Sequence, residues 1–417
     1  MCKYHPNAQM KVRLKSLKAI GHSTDKINIR IIGGTWSYYP KRYQNWFIRE
    51  LFLAANGDSR KWKVEGRKLE QLQKANGTAQ HRIVEISVET RQDYIDLGEI
   101  SRLRKLGVTK VELGVQTADD SILKFVKRGS LDIDTINATR MLKDAGFKVS
   151  YQLMLNLPKS TPKKDIAMFA KIFGNQNYRP DNIKIYPLAL VGESALIKLY
   201  RNGLFKPYDQ DVLINTISRI KKSVPYYCRI ERVIRDIPSD KIIEGGAKVS
   251  NLRQMIQDRL KGEGNLCKCI RCREVRNNFD KNEKYHLFRE DFDASSGKEI
   301  FISFENKDRS KLYSILRLRI PESALENKKS FIRILDNSAL IREIHTYGPS
   351  LQIGKKSDSA SQHRGFGKKL IAEAERITTE EFGLKKIAVI SGVGVREYFR
   401  KLGYNLRSTY MTKRLVK

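Results

Sequence analysis

Apolar runs alternating with amphipathic stretches fill the first half of the chain, and this alternation restricts the fold more than any other feature. Residues 26–32 form an apolar run that ends in Gly33-Gly34. Tyr43, Trp46, Phe47 and Leu51 follow at i, i+3, i+4 and i+8, the spacing of one helix face. Further strands are predicted at 82–88, 109–115, 148–155 and 182–186, with a later β-like run at 228–233. Helical stretches at 97–106 and 133–145 lie between them, and Gly107 and Gly146 read as helix stops. The β-α-β-α order predicts an α/β unit, a parallel sheet covered by helices. Such folds place their ligand sites at the carboxyl ends of the strands. Gly33-Gly34-Thr35, Glu89-Thr90-Arg91, Gln116 and the stretch 184–187 all fall there.

The pattern changes after about Gly245. A helix is predicted at 251–261, followed by a cysteine cluster and a charged stretch at 271–284, and a domain junction belongs there. Strands at 299–305, 312–320 and 339–347, a helix over 365–382, a strand at 386–391, a helix at 395–402 and a last strand at 410–415 make an α+β domain. A chain of 417 residues accommodates two or three such units.

Charge narrows the partners. Lys and Arg number 80 against 46 Asp and Glu, a formal balance of +34. Such an excess attracts polyanions by counterion release, and nucleic acid is the expected partner. Basic residues stripe 11–18 (Lys11, Arg13, Lys15, Lys18), and further runs include Lys61, Lys63, Arg67 and Lys68 as well as Lys221-Lys222 and 268–276. Each run alone also reads as a solvated helix face. Trp36, Tyr38, Tyr39 and Tyr43 are aromatic rings on which an extruded base could stack. No apolar run reaches the length of a bilayer span, and the first eleven residues hold no apolar signal core. A cytoplasmic protein with no membrane partner is expected.

Two local patterns carry chemistry. Cys267, Cys269 and Cys272 are three of five cysteines, packed within six residues. Thiolates at this spacing can wrap one tetrahedral zinc, with Cys228 and His286 as candidates for the fourth ligand. A disulfide is the weaker alternative in a reducing compartment. The second pattern is Gln362-His363-Arg364-Gly365-Phe366-Gly367, which lies after a loop and opens a helix. Successive backbone N–H groups at such a turn form an anion nest at the positive helix end, and glycines let a pyrophosphate approach.

Together with Tyr398-Phe399-Arg400-Lys401-Leu402-Gly403-Tyr404, the second pattern resembles the GNAT acetyltransferase fold. The implied ligand is acetyl-CoA, its pyrophosphate on the amides of residues 364–369, Lys368 among them. The resemblance extends over nearly the whole chain. Tyr4-His5-Pro6-Asn7, Gly21-His22-Ser23-Thr24-Asp25-Lys26, Ile32-Gly33-Gly34-Thr35, Glu89-Thr90-Arg91-Gln92-Asp93-Tyr94 and Glu112-Leu113-Gly114-Val115-Gln116 occur in order. Asp144-Ala145-Gly146-Phe147-Lys148, Ile185-Tyr186-Pro187, Arg235-Asp236-Ile237-Pro238 and the stretch 388–394 continue the series. The chain is similar to the catalytic subunit of Elongator in its stand-alone bacterial or archaeal form.

That resemblance implies a radical-SAM barrel joined to a GNAT domain, acting on the wobble uridine in the anticodon loop of tRNA with acetyl-CoA. The boundaries expected are 1–245 for the barrel, 246–285 for a zinc-binding linker and 286–417 for the acetyltransferase domain. Gly33, Gly34 and Thr35 match the position that holds the amino group of S-adenosylmethionine. Glu89, Arg91, Gln116 and Lys184 match pocket positions; Glu89 with Arg91 also reads as a structural pair, and Lys184 as a solvated residue of the barrel mouth. The family's three cluster cysteines lie upstream of the Tyr4 region, where this chain has Cys2 alone, and one thiolate cannot hold a [4Fe–4S] cluster. The expected fold is therefore a partial (β/α)6 barrel without its first strand, either as a fragment or as a protein without its radical centre.

In the acetyltransferase half, the slot of the usual general-acid tyrosine is Phe399, which cannot donate a proton, and Tyr398 is its neighbour. Glu343 and His345 share one strand face and read either as a base or as a structural pair. The alternatives to tRNA modification are a homologue that binds tRNA and acetyl-CoA without radical chemistry, and an N-acetyltransferase of protein or small-molecule amines. A homodimer or accessory subunits are compatible with either.

Overall fold

The computed structural model describes residues 2–57, 68–234, 237–245, 251–276, 280, 282–348 and 365–415. Six strands form one wholly parallel sheet: β1 (Lys26–Ile31), β2 (Arg82–Thr90), β3 (Lys110–Gln116), β4 (Lys148–Leu155), β5 (Asn182–Pro187) and β7 (Arg229–Arg232), adjacent in that order. Two short strands, β6 (Leu190–Val191) and β8 (Ile242–Glu244), pair as a separate antiparallel ribbon. The expected β-α-β-α order is present. The helix Leu97–Leu106 shows why it was legible: Asp96 accepts a hydrogen bond from the Glu99 N–H, and Gly107 ends the helix in the left-handed region at φ 87°. Among the described residues β1 pairs with β2 alone, so its other edge is open.

The second sheet is mixed. It contains β9 (His286–Ala294), β10 (Gly297–Glu305), β11 (Leu312–Ile320), β12 (Ala339–Thr346), β13 (Lys386–Val389), β14 (Asn405–Arg407) and β15 (Tyr410–Arg414). The spatial order is β14-β15-β13-β12-β11-β10-β9, with β12 and β13 parallel and the other pairs antiparallel. Several elements escaped the sequence reading, among them β9, the helix Pro6–Ala19 and the helices Pro162–Gly174 and Gln210–Ser223. β9 carries Arg289, Glu290, Asp291 and Asp293 on an edge, so no apolar run marks it. The helix Pro6–Ala19 buries only Pro6, Met10 and Leu14. The helix read as 365–382 is α-helical over Phe366–Arg376 and continues as a π-turn over Ile377–Glu381.

The second sheet docks on the amino-terminal ends of the first sheet's strands, through charge. Arg342 of β12 donates to both carboxylate oxygens of Asp181, at 2.9 and 2.5 Å, and to Glu299 at 2.8 Å. Arg317 donates to the Tyr227 carbonyl at 2.7 Å, and Arg319 pairs with Asp144 at 2.7 Å. All three arginines are buried. Close backbone contact seals the other side: a Cβ at Gly392 would stand 1.9 Å from the Val84 carbonyl oxygen, so only glycine fits there.

Removing one member of such a buried network leaves its partners charged and desolvated. Arg342→Met is expected to lower unfolding free energy by about 3–5 kcal/mol, read from urea denaturation; a wild-type midpoint would contradict this role. Burial raises the Asp181 carboxyl, but Arg342, Lys143 and Arg317 outweigh it and hold the group below its ordinary range. Burial likewise raises Glu299, and Arg342, Lys143 and Arg319 bring it below. Both folded-state values are depressed. Their contribution is therefore complete above about pH 5, and is lost as pH falls below about 4, where the unfolded chain takes up protons. Denaturation midpoints should decline over that acid range in the wild type and more weakly in Asp181→Asn.

Candidate active site

Charged residues occupy alternate positions in several otherwise buried strands of the first sheet. They meet on its inner face, as period-two geometry requires. Arg30 of β1 donates to Glu89 at 2.7 Å and to Glu112 at 3.0 Å. Lys184 of β5 is fully buried and donates to Glu112; Glu89 and Glu231 stand 3.6 and 3.8 Å from its ammonium. Lys110 bridges Glu112, at 3.3 Å, and Glu231. Lys148 then joins Glu85 at 2.8 Å to Glu343 of the second sheet at 2.6 Å. Burial raises the Glu112 carboxyl, but Lys110, Lys184 and Arg30 together hold it below the usual range. Burial lowers the Lys184 ammonium, and Glu112 offsets only part of that.

The loop after β1 is held from several directions. Gly33 and Gly34 adopt φ 121° and 120°, and a Cβ on Gly33 would meet nothing within 4 Å, so the turn is open to a ligand. The Tyr39 hydroxyl donates to the Gly33 carbonyl at 3.1 Å. Gln44 Nε2 donates to the carbonyls of Trp36 and Tyr39 at 3.1 and 2.7 Å. Ser37, just past Thr35, donates to Glu99 at 2.6 Å and accepts from Thr90 at 2.9 Å. The structure thus brings Glu89 and Lys184 together on the inner face, below the glycine turn.

Other expected residues behave differently. Arg91 does not pair with Glu89: it pairs with Asp93, its Nε 2.9 Å from Oδ1, and lies over the Tyr94 ring at 5.3 Å, while Glu89 belongs to Arg30. Lys184 is no solvated mouth residue, since burial and three carboxylates enclose it. Gln116 ends β3 with φ 66°. Arg30, Lys110, Glu112 and Glu231 were missed as a set. Their signal was a charge at every second position inside apolar strands, as in Lys110-Val111-Glu112-Leu113.

In the second sheet, Gly365 stands at the N-cap of the helix Phe366–Arg376 with φ 71° and open space where a Cβ would be. Among the described residues no side chain caps this helix. The Tyr398 hydroxyl would be 3.1 Å from a Cβ on Gly367, so the glycine lets the phenol rest against the first turn. Burial raises the Tyr398 hydroxyl above its ordinary value, keeping its proton on. Phe399 is buried against Tyr404 and belongs to the core. Lys368 lies in the same first turn, and Gln362, His363 and Arg364 lie outside the described residues. Glu343, read from sequence as a base, is tied to Lys148 at 2.6 Å and to Arg317 at 2.8 Å. Burial raises its carboxyl, but those two cations hold it below the ordinary range, a poor setting for accepting a proton. The His345 ring lies 4.5 Å from that of Tyr347.

The Sγ atoms of Cys267, Cys269 and Cys272 all lie within 4.8 Å of one another. Neither Cys228, buried beside them, nor His286, exposed on β9, belongs to that group. The cluster sits at the amino-terminal side of β7, where the Ile270 N–H donates to the Cys228 carbonyl at 3.0 Å. This is the opposite end of the sheet from the Gly33-Gly34 turn.

Comparison with known proteins agrees with this architecture. Residues 10–171 match the family model of the Radical SAM superfamily, and residues 180–262 match that of the Radical_SAM C-terminal domain. The chain is 43% identical to the tRNA uridine(34) acetyltransferase of Methanocaldococcus jannaschii, covering 100% of this chain and 76% of the relative. It is 41% identical to the protein of that name from Dehalococcoides mccartyi, covering 99% and 88%. It is 35% identical to Elongator complex protein 3 of Homo sapiens, covering 99% and 74%. A solved structure of the archaeal Methanocaldococcus infernus Elp3 with an N-terminal deletion (1–46) superimposes with a TM-score of 0.90 at 42% identity, covering 99% of this chain and 96% of that one. Matched along nearly its whole length by these relatives, the chain belongs to the radical SAM family of tRNA uridine(34) acetyltransferases and Elongator complex protein 3.

Proposed function

We propose that this chain is a tRNA uridine(34) acetyltransferase that binds acetyl-CoA at the start of the helix Phe366–Arg376 and acts on the wobble uridine of tRNA. The observation that carries the reading is the glycine helix start at Gly365, which no described side chain caps, with the Tyr398 hydroxyl against it, in a chain whose relatives bear that activity by name. The first-turn amides and the open space at Gly365 fit a pyrophosphate. Residues 365–368 would hold the CoA phosphates. Acetyl-CoA supplies an activated acyl group on a thiol leaving group. Tyr398 carries a protonated phenol against the first turn of this helix and would give that proton to a departing thiolate; the neighbouring Phe399 has none to give.

This assigns a GNAT-type role to the second sheet. It divides the chain into a barrel over 1–245, a linker over 246–285 and an acetyltransferase domain over 286–417. The tRNA anticodon loop is the partner that the excess of +34 suits. The exposed rings of Tyr38, Tyr39 and Tyr43 near the glycine turn offer stacking surfaces. S-adenosylmethionine suits the open Gly33-Gly34 turn. Among the described residues no group of three thiols lies at that end, so they do not fit a [4Fe–4S] cluster there. The triad Cys267, Cys269 and Cys272 instead suits a structural zinc, remote from the turn.

Gly365→Asp and Gly367→Asp place a carboxylate where the phosphates bind and should weaken acetyl-CoA binding at least about 100-fold by calorimetry, equivalent to about 3 kcal/mol. Wild-type affinity in both would remove the assignment. Tyr398→Phe should leave acetyl-CoA affinity nearly intact and slow tRNA-dependent acetyl-CoA turnover about 100-fold; unchanged turnover would exclude the phenol as acid. Cys269→Ser should lose its zinc by elemental analysis.

A further inference from the structure

Three cationic side chains near the cysteine triad carry buried polar atoms that no described residue partners. Lys221 lies in the helix Gln210–Ser223, is fully buried, and its Nζ has no hydrogen-bond partner. Arg253 opens the helix Leu252–Gly262; its Nη2 donates to the Ile230 carbonyl at 3.3 Å, but its Nη1 is buried and unpartnered. Arg271, beside Cys272, leaves Nε buried and unpartnered. Gln257 Nε2 stands 3.8 Å from the Cys272 sulfur. An unsatisfied buried ammonium is costly, and native proteins rarely keep one without a counter-charge. Here the groups able to carry that charge are the thiols. Lys221 and Arg253 lie near enough to the Cys272 sulfur to act on it electrostatically.

Negative charge at the triad is what these cations call for. Three neutral thiols would leave the cations uncompensated. Three thiolates around a divalent metal carry one net negative charge, enough to balance the Lys221 ammonium but not both guanidiniums as well. We propose that Lys221, assisted by Arg253 and Arg271, is the counter-charge of a metal–thiolate centre at Cys267, Cys269 and Cys272 and sets its affinity for the metal. This inference rests on the zinc reading of the triad. Lys221 is a positioning residue: it binds no metal itself, but stabilises the charge of the groups that do.

The test is zinc affinity of the full chain, by competition with a chromophoric chelator, for wild type, Lys221→Met, Lys221→Arg and Arg253→Gln. Elemental analysis of the wild type comes first; a folded wild type free of zinc overturns the zinc reading and this inference with it. With zinc present, Lys221→Met should bind it about 10- to 100-fold more weakly, and Lys221→Arg should restore most of the loss. Cobalt(II) substitution supplies a second readout: its thiolate charge-transfer bands should persist in Lys221→Met but saturate at higher metal concentration. If Lys221→Met does not fold, as judged by circular dichroism, Arg253→Gln decides: weaker zinc binding supports the shell and wild-type affinity overturns it. Wild-type affinity in a folded Lys221→Met, or equal weakening in Lys221→Met and Lys221→Arg, overturns the proposal while leaving the zinc reading intact.

Discussion

The placement of both candidate sites depends on the buried ion pairs of Asp181. This residue immediately precedes β5, and its carboxylate takes both nitrogens of Arg342 from the second sheet. Arg342 also binds Glu299, which binds Arg319, which binds Asp144 of the first unit. Apolar residues such as Leu340 and Ile390 pack near Gly146 beside this network, while the arginines satisfy backbone carbonyls that the strand ends present. Buried ionic networks add little net stability compared with well-packed apolar residues, but a broken one is heavily penalised. The network therefore acts mainly on geometry: a shifted or rotated second sheet would leave several buried charges unpaired.

A second set of charges begins where that network ends. Glu343 is shared between Arg317 of the second sheet and Lys148 of the first. Lys148 reaches Glu85, and Lys110, Glu112, Lys184 and Arg30 continue along the inner face toward the glycine turn. The interior of the sheet is thus a column of compensated charge rather than a packed apolar lumen. Low local dielectric strengthens each pair and makes each orphan expensive, so the column favours a single arrangement. That fixes Lys184 and Glu89 in place below Gly33 and Gly34, which a pocket for a polar ligand requires.

Much of this was legible in the sequence, for identifiable reasons. The strands β4 and β11 were read with their observed limits because their apolar residues are buried in long runs. The glycine turn, the helix start at Gly365 and the cysteine triad were found because their chemistry is local. What escaped was whatever depended on a distant partner. Arg91 and Glu89 are two residues apart and of opposite charge, so pairing looked natural; yet neighbours at that spacing on a strand share a face only while the strand continues, and Arg91 lies just beyond its end. Glu343 looked like a base because nothing in the sequence places Lys148 and Arg317 on either side of it. The edge strand β9 was lost because its charges are paired across space, Arg289 with Glu381 and Glu290 with Arg309.

The fate of Glu343 also decides how acid–base work is divided in the second sheet. A carboxylate held by two cations is a poor proton acceptor, and losing its charge would disturb the contact between the sheets. Evolutionary reuse of that residue as a base would make docking depend on the protonation state of every turnover. Tyr398 is under no such constraint. Its ring is partly exposed, its hydroxyl lies against the first turn of the helix at Gly367, and its proton is retained at neutral pH. The arrangement separates the groups that hold the fold from the group that can exchange a proton. Phe399, turned inward against Tyr404, shows the same division one position along: the ring in the core has no hydroxyl to satisfy, and the exposed ring of Tyr398 keeps one.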